Sequence, residues 1–274
     1  GCSPTSTPPA EPDVRRDPSA PPRAAGEQPS LAVSNSYLGA AVHDVLGQDA
    51  PVMLLAEPGM CPGHFDLRPS QVQQLRACRL LLRFDFQQSL DARLGDAGQP
   101  GPRVLAVQVP GGMCVPDSYQ SVCGQVADAL VADGRLSREA ADARLAAVAQ
   151  RLSELNAWTA DQLDRAALRD AAVLCSGHQA AFCRHLGLNV VATFSAADTA
   201  QPSQIDQAVK VGEQARVKLI VANLPEGRQL ADALGDRLGA PVVVFGNFPQ
   251  KLEPQAFEQL VRGNVTALVE AGKP

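Results

Sequence analysis

Aromatic side chains are scarce in this sequence, at 4% of the residues, so its cores must be built mainly from Leu, Val and Ala. An excess of basic charge is also missing. The net charge is −5, with no stripe of Lys or Arg to release counterions from a phosphate backbone, which removes nucleic acid from the list of partners. No stretch approaches the roughly 18 apolar residues that a membrane-spanning helix needs. Phosphate-binding loops of the Walker type, spaced dinucleotide glycines and a nucleophile elbow are all absent, and the Gly-Gly at 111–112 is too short to stand for any of them. A Cys with a nearby His can act as nucleophile and base, but no orienting carboxylate accompanies such a pair here, so the sequence does not read as an enzyme.

Cysteine, by contrast, is plentiful. Seven in 274 residues point to disulfides in an oxidising compartment or to a soft-donor metal site, and an odd number leaves one with another task. Cys2 follows Gly1, the arrangement that lipoprotein processing leaves, and is the expected acylation site. Residues 1–29 carry eight of the 22 prolines and almost no large apolar side chain. That composition cannot offset its own ordering entropy and predicts an extended tether. Lipid-anchored export to the periplasm or its equivalent is therefore expected, with the membrane as a contact through the anchor.

Beyond residue 30 short apolar runs alternate with amphipathic ones. Strands are predicted at Ser30–Asn35, Pro51–Ala56, Arg79–Phe84 and Arg103–Val107, with helices near 36–46, 69–77, 87–94 and 118–133. A long helix follows from Ser137, an acceptable N-cap, to about Leu168. The alternation then resumes, with strands at Ala172–Cys175, Leu188–Thr193, Lys218–Ala222 and Val242–Phe245 and helices near 178–186, 202–214, 226–238 and 253–271. The expected architecture is α/β: two lobes with largely parallel sheets, 30–136 and 169–274, joined by one long helix, 137–168, with the ligand cleft between the lobes.

Three cysteines fall just after predicted strands, in Met60-Cys61-Pro62-Gly63-His64, in Gly111-Gly112-Met113-Cys114-Val115-Pro116 and in Leu174-Cys175-Ser176-Gly177-His178. Two of these are Cys-x-x-His, where composition alone gives about 0.1. Thiolate and imidazole suit Zn²⁺ or Cu⁺, and the adjacent Met60 and Met113 tilt the choice towards copper. Cys61, His64, Cys114, Cys175 and His178 are thus the candidate metal ligands, one more than a four-coordinate site takes. Disulfides are the competing use, with Cys114–Cys123 and Cys175–Cys183 as local possibilities. His43 and His185 lie on helical patterns and read as ordinary surface or packing histidines, and Cys78, ahead of a strand, as core or disulfide and not ligand.

Asn35-Ser36-Tyr37-Leu38, Gly59 followed by Phe65-Asp66-Leu67-Arg68-Pro69-Ser70, and Pro110–Pro116 running on to Val126-Ala127-Asp128-Ala129-Leu130 form a recognisable series. Phe182 with Leu186-Gly187-Leu188, and Gln201-Pro202-Ser203, extend it into the second half. The series resembles the zinc/manganese-type periplasmic solute-binding proteins of metal ABC importers. The resemblance implies two α/β lobes whose connecting helix limits hinge motion, a metal ion as cargo and a membrane permease as partner. It also implies three His, or two His and a Glu, plus a carboxylate as ligands. Those positions have changed. The first falls on Gly63 with His64 one place late, the second on Gly111, the third on Ser176 with His178 two places late, and the carboxylate loop on Gly246-Asn247-Phe248. The His- and acid-rich loop common among zinc members is missing. Two readings remain open. In one, the ligand set is rebuilt from Cys and His, favouring zinc over manganese and admitting copper. In the other, a degenerate scaffold stapled by disulfides acts through a non-metal ligand or protein contacts.

Overall fold

A computed structural model describes residues 30–60, 67–92 and 101–273. Cys2 and the Pro-rich segment 1–29, together with Cys61 and His64, lie outside the described residues. The first half runs β1 (Leu31–Val33), α1 (Ser36–Leu46), β2 (Met53–Leu54), α2 (Pro69–Ala77), β3 (Leu80–Phe84), α3 (Ser89–Ala92), β4 (Arg103–Val107) and α4 (Pro116–Ala132). After α5 (Arg138–Arg165) come β5 (Ala172–Ser176), α6 (Ala180–His185), β6 (Asn189–Phe194), α7 (Pro202–Ala215), β7 (Leu219–Asn223), α8 (Gln229–Leu238), β8 (Val242–Phe245) and α9 (Ala256–Ala271). The first sheet is ordered β2-β1-β3-β4 and the second β6-β5-β7-β8, with every pairing parallel. The expected α/β architecture is present, and both sheets have the same winding.

Local chemistry explains the boundaries. The Asn35 side chain caps α1 by accepting from the amides of Tyr37 and Leu38 at 2.9 and 3.1 Å. Ser137 caps α5 through the Ala140 amide at 3.2 Å. Pro at the first turn opens α2, α4 and α7, where a missing N–H costs nothing. Some elements differ from the sequence expectation. α5 stops at Arg165, because Ala167 takes a positive φ of 50° and turns the chain. α8 starts only at Gln229, after a 3-10 turn at Leu224–Glu226. A 3-10 turn at Asp85–Gln87 likewise takes the start of the helix expected near 87.

The two sheets share one core. α5 packs on α4 and α9, and α1 on α4, so a continuous buried cluster runs from Leu31 and Val33 to Val265 and Leu268. At its centre Tyr119 stacks on Phe257 with ring centroids 4.0 Å apart, and Tyr37 meets Tyr119 edge-on at 5.3 Å. Such aromatic pairs contribute about 0.5–1.5 kcal/mol beyond the area they bury.

A charged network crosses the same junction. Arg151 of α5 donates to Asp44 of α1 at 2.6 Å and to Glu258 of α9 at 2.8 Å. Asp44 also accepts from the Tyr119 hydroxyl at 2.7 Å and the Gln255 amide at 3.1 Å. Burial opposes the Arg151 charge, but the bond to Glu258 and the nearby Asp44 outweigh it and hold its pKa above the ordinary value.

A second tie between the halves uses Cys114. Its thiol donates to the Gly246 carbonyl at 3.1 Å, and Asn264 of α9 holds that loop by donating to the same carbonyl at 2.9 Å and accepting from the Gly246 amide at 3.0 Å. Nearby, a Cβ on Gly112 would stand 2.9 Å from that of Ala181, so only glycine allows this close approach to α6.

Two outcomes follow. Arg151→Ala leaves Asp44 buried without its cation and should cost about 3 kcal/mol in urea unfolding; a loss below about 1 kcal/mol would show that the network is dispensable. Burial pushes the Cys114 thiol from 9.0 up to about 12, against a smaller opposing effect of the Asn264 hydrogen bond. The fold therefore prefers the protonated thiol. Its contribution is complete below pH 9 and is lost as pH rises towards 12, by up to about 4 kcal/mol at full titration. Unfolding measured at pH 8 and 10.5 in reductant should show a shallower alkaline decline for Cys114→Ala than for the parent, and equal declines would remove Cys114 from this role.

Candidate functional site

All strands of each sheet are parallel, so the turns at their carboxyl ends gather at one edge, and the two edges face each other across a cleft. From the second sheet the floor is built by residues at the ends of β5, β7 and β8. Ser176 ends β5, and its hydroxyl accepts from the His178 amide at 3.2 Å while donating to Glu226 at 2.5 Å. Glu226, on the turn after β7, brings its other carboxylate oxygen to 3.4 Å from His178 Nε2. The imidazole is largely exposed and the carboxylate mostly covered.

Beside this pair lies a set of three buried amides. Gln179 donates to Asn223 at 3.0 Å and to Asn247 at 2.8 Å, and Asn247 donates to Asn223 at 2.8 Å. The first lobe contributes the turn after β3, with Phe86, and the turn after β4, with Gly111, Gly112 and Met113. Two adjoining hollows result, of about 500 and 810 Å³, and both are lined by Phe86, Met113, His178 and Asn247.

Of the five expected ligands, His178 faces this cleft. Cys114 and Cys175 are turned into the core, with exposures of 1% and 0%. Cys114 lies beneath the floor, held by Gly246 and Asn264 as described. The Cys183 thiol is the hydrogen-bond partner of Cys175 and keeps its pKa below the ordinary value, against the effect of burial. Cys61 and His64 lie outside the described residues, and among those described no three His, Cys, Asp or Glu side chains are grouped so as to hold a metal ion. Cys114, Cys123, Cys175 and Cys183 are free thiols, so neither of the two local bridges is formed. His43 is buried with Nδ1 3.1 Å from the Gly47 carbonyl, and His185 is exposed and meets Asn156 at 3.0 Å, one a packing and the other a surface histidine.

The positions where the family resemblance implies ligands have a physical account. Gly111 has φ +118°, a backbone conformation that L side chains rarely adopt, so a histidine there would be strained. Ser176 is fully buried and committed to Glu226, and Asn247 is committed to the amide set. Sequence reasoning missed Glu226, Gln179 and Asn223. The available signal was position: Asn223-Leu224-Pro225-Glu226 directly follows a predicted strand, and loops after parallel strands are where this architecture places its ligands.

None of the curated proteins searched matches the chain. Among solved structures, a Mn-bound periplasmic metal-binding protein from Candidatus Liberibacter asiaticus superposes with TM-score 0.72 at 12% identity, covering 89% of this chain and 99% of that one. A Cd-bound form of the protein from the same organism gives the same figures. A crystal structure of ZnuA gives TM-score 0.72 at 14% identity over 89% of this chain and 98% of the other. At these identities the likeness shows a shared fold. The family model described as ZnuA, the periplasmic component A of the zinc-uptake complex, matches residues 114–271. That match spans α4, the linking helix and the whole second sheet, more than half of the chain, and the protein belongs to this family.

Proposed function

We propose that this protein captures a transition-metal ion outside the cytoplasmic membrane and delivers it to the permease of an ABC importer, with the ion held in the cleft between the two sheets. Proteins of this family bind solutes for transport and are not enzymes. The observation that carries the proposal is the His178–Glu226 pair, imidazole and carboxylate 3.4 Å apart at the mouth of the cleft, with Ser176 holding the carboxylate from behind. A ligating carboxylate held by such a partner is the arrangement metal sites use to orient their donors.

His178 and Glu226 are assigned as the donors of the second lobe, and the Met113 thioether lines the same space. From the first lobe, Cys61 and His64 stand as candidates for the same ion. Cys114 and Cys175 are assigned to packing, because both are buried in the core, and burial further sets Cys114 against losing the proton that ligation requires. Nitrogen and oxygen donors together with a thiolate suit Zn²⁺ better than Mn²⁺. Cys2 is assigned as the acylated anchor residue, which would hold the protein at the membrane that carries the permease.

Equilibrium dialysis against Zn²⁺ in reductant should show about one ion per chain. His178→Ala and Glu226→Gln should each weaken binding at least tenfold, and Cys114→Ala and Cys175→Ala should leave it nearly unchanged. Affinity should fall as pH is lowered, because metal donors bind in their deprotonated forms. Cys61→Ala and His64→Ala measured alongside assign the first-lobe donors. Full affinity in the His178→Ala/Glu226→Gln double variant, or no stoichiometric binding by the parent, would overturn the assignment.

A further inference from the structure

We propose that the cargo is a metal ion already complexed by a small organic chelator of net positive charge, seated in the 810 Å³ hollow with its organic part against Phe86. The inference rests on the transport reading above and specifies the chemical form of the solute. Volume is the first argument. Zinc donors lie about 2.0–2.3 Å from the ion, so a bare ion and its protein ligands fill little space, whereas pockets for small organic molecules span about 300–1,000 Å³. The two hollows here measure about 500 and 810 Å³ and adjoin. Where the resemblance implies a histidine, Gly111 lines the smaller hollow instead.

Donor count is the second argument. His178 and Glu226 hold two positions of a four-coordinate ion, and a chelator fills whichever of the remaining positions the first-lobe candidates Cys61 and His64 do not take.

The third argument is the character of the wall. Phe86 is 60% exposed, a high figure for a large apolar side chain. It is nonetheless firmly placed. Its ring stacks on Phe84 at 5.1 Å and 21°, and its amide donates to the Asp85 carboxylate at 2.8 Å. The buried Arg83 braces the same turn, donating to the Phe84 carbonyl at 2.8 Å and to Asp91 at 2.7 Å. A fixed, uncovered ring at the cleft is a stacking surface. The exposed Gln229 lines the same hollow and offers its amide to a polar organic ligand. Charge selects the sign: Asp198 and Glu226 line the larger hollow and Asp85 the smaller, while no described lining residue is Lys or Arg.

The probe is the 1:1 complex of Zn²⁺ with L-histidine, which carries one positive charge and a planar ring. The full chain is dialysed against Zn²⁺ alone, against radiolabelled L-histidine alone and against the two together, and retained zinc and histidine are counted. One zinc and one histidine per chain from the mixture, at an affinity at least tenfold above that for Zn²⁺ alone, is the expected result. Phe86→Ala should lose most of that gain, about tenfold, while leaving binding of Zn²⁺ alone unchanged. Zinc retained without histidine, or no effect of Phe86→Ala on the complex, would overturn the chelate inference and leave the transport reading standing. Histidine retained equally without zinc, or nothing retained in any arm, would overturn both.

Discussion

The carboxylate of Asp44, with no exposed surface, is the point to which the rest of this structure is tied. An isolated carboxylate in that position would be prohibitively costly, and it persists because three segments supply donors to it: Arg151 from the linking helix, Tyr119 from the first lobe and the Gln255 amide at the head of the last helix. Arg151 then reaches on to Glu258. Each of these groups needs the others in place to be satisfied, so the first lobe, the linking helix and the last helix are fixed to one another as a unit. Gln255 even accepts a left-handed backbone, φ 65°, at the position from which its N–H reaches Asp44.

Because that unit is fixed, the geometry of the cleft follows from it. The network and the Tyr119–Phe257 stack lie behind the two sheets, while the turns that line the hollows lie at the sheets' carboxyl edges. Closer to the cleft, Cys114 and Asn264 hold the Gly246 loop, and Asn247 on that loop is bonded in turn to Gln179 and Asn223. A chain of hydrogen bonds therefore runs from the inter-lobe core to the cleft floor. Large hinge closure would have to break several of these bonds together, which favours a cleft that meets its cargo nearly preformed.

Much of this architecture was legible in the sequence, because strand runs such as Leu80–Leu82 and Leu219–Ala222 are uninterrupted apolar stretches and parallel, doubly covered sheets produce such runs. The long helix was equally clear from Val148, Leu152, Leu155 and Leu163, all of which are buried. The site was legible only in part. Sequence spacing brought Cys175 and His178 together on one loop, yet it could not say that the thiol ends a strand facing the core while the imidazole emerges on the following turn. A buried cysteine behaves as a small apolar residue, so its place in a suggestive motif carried less information than its place in the strand. Glu226 escaped notice for the opposite reason. Its one mark is its place just after a predicted strand, and its partners Ser176 and His178 are some fifty residues away and meet it through the pairing of β5 with β7.

The changed cleft also alters what kind of selectivity the protein can exercise. A bare divalent ion is recognised by charge and by the number and softness of its donors, and three anionic or imidazole groups converging on one point do that well. An amide set does it poorly, since Asn223, Asn247 and Gln179 offer dipoles in place of charge and largely satisfy one another. A fixed aromatic face with an exposed amide such as Gln229 beside it instead suits the outline and polar groups of an organic molecule. On the reading proposed above, recognition is divided: the ion would be sensed through His178 and Glu226, and the rest of the solute through Phe86 and Gln229.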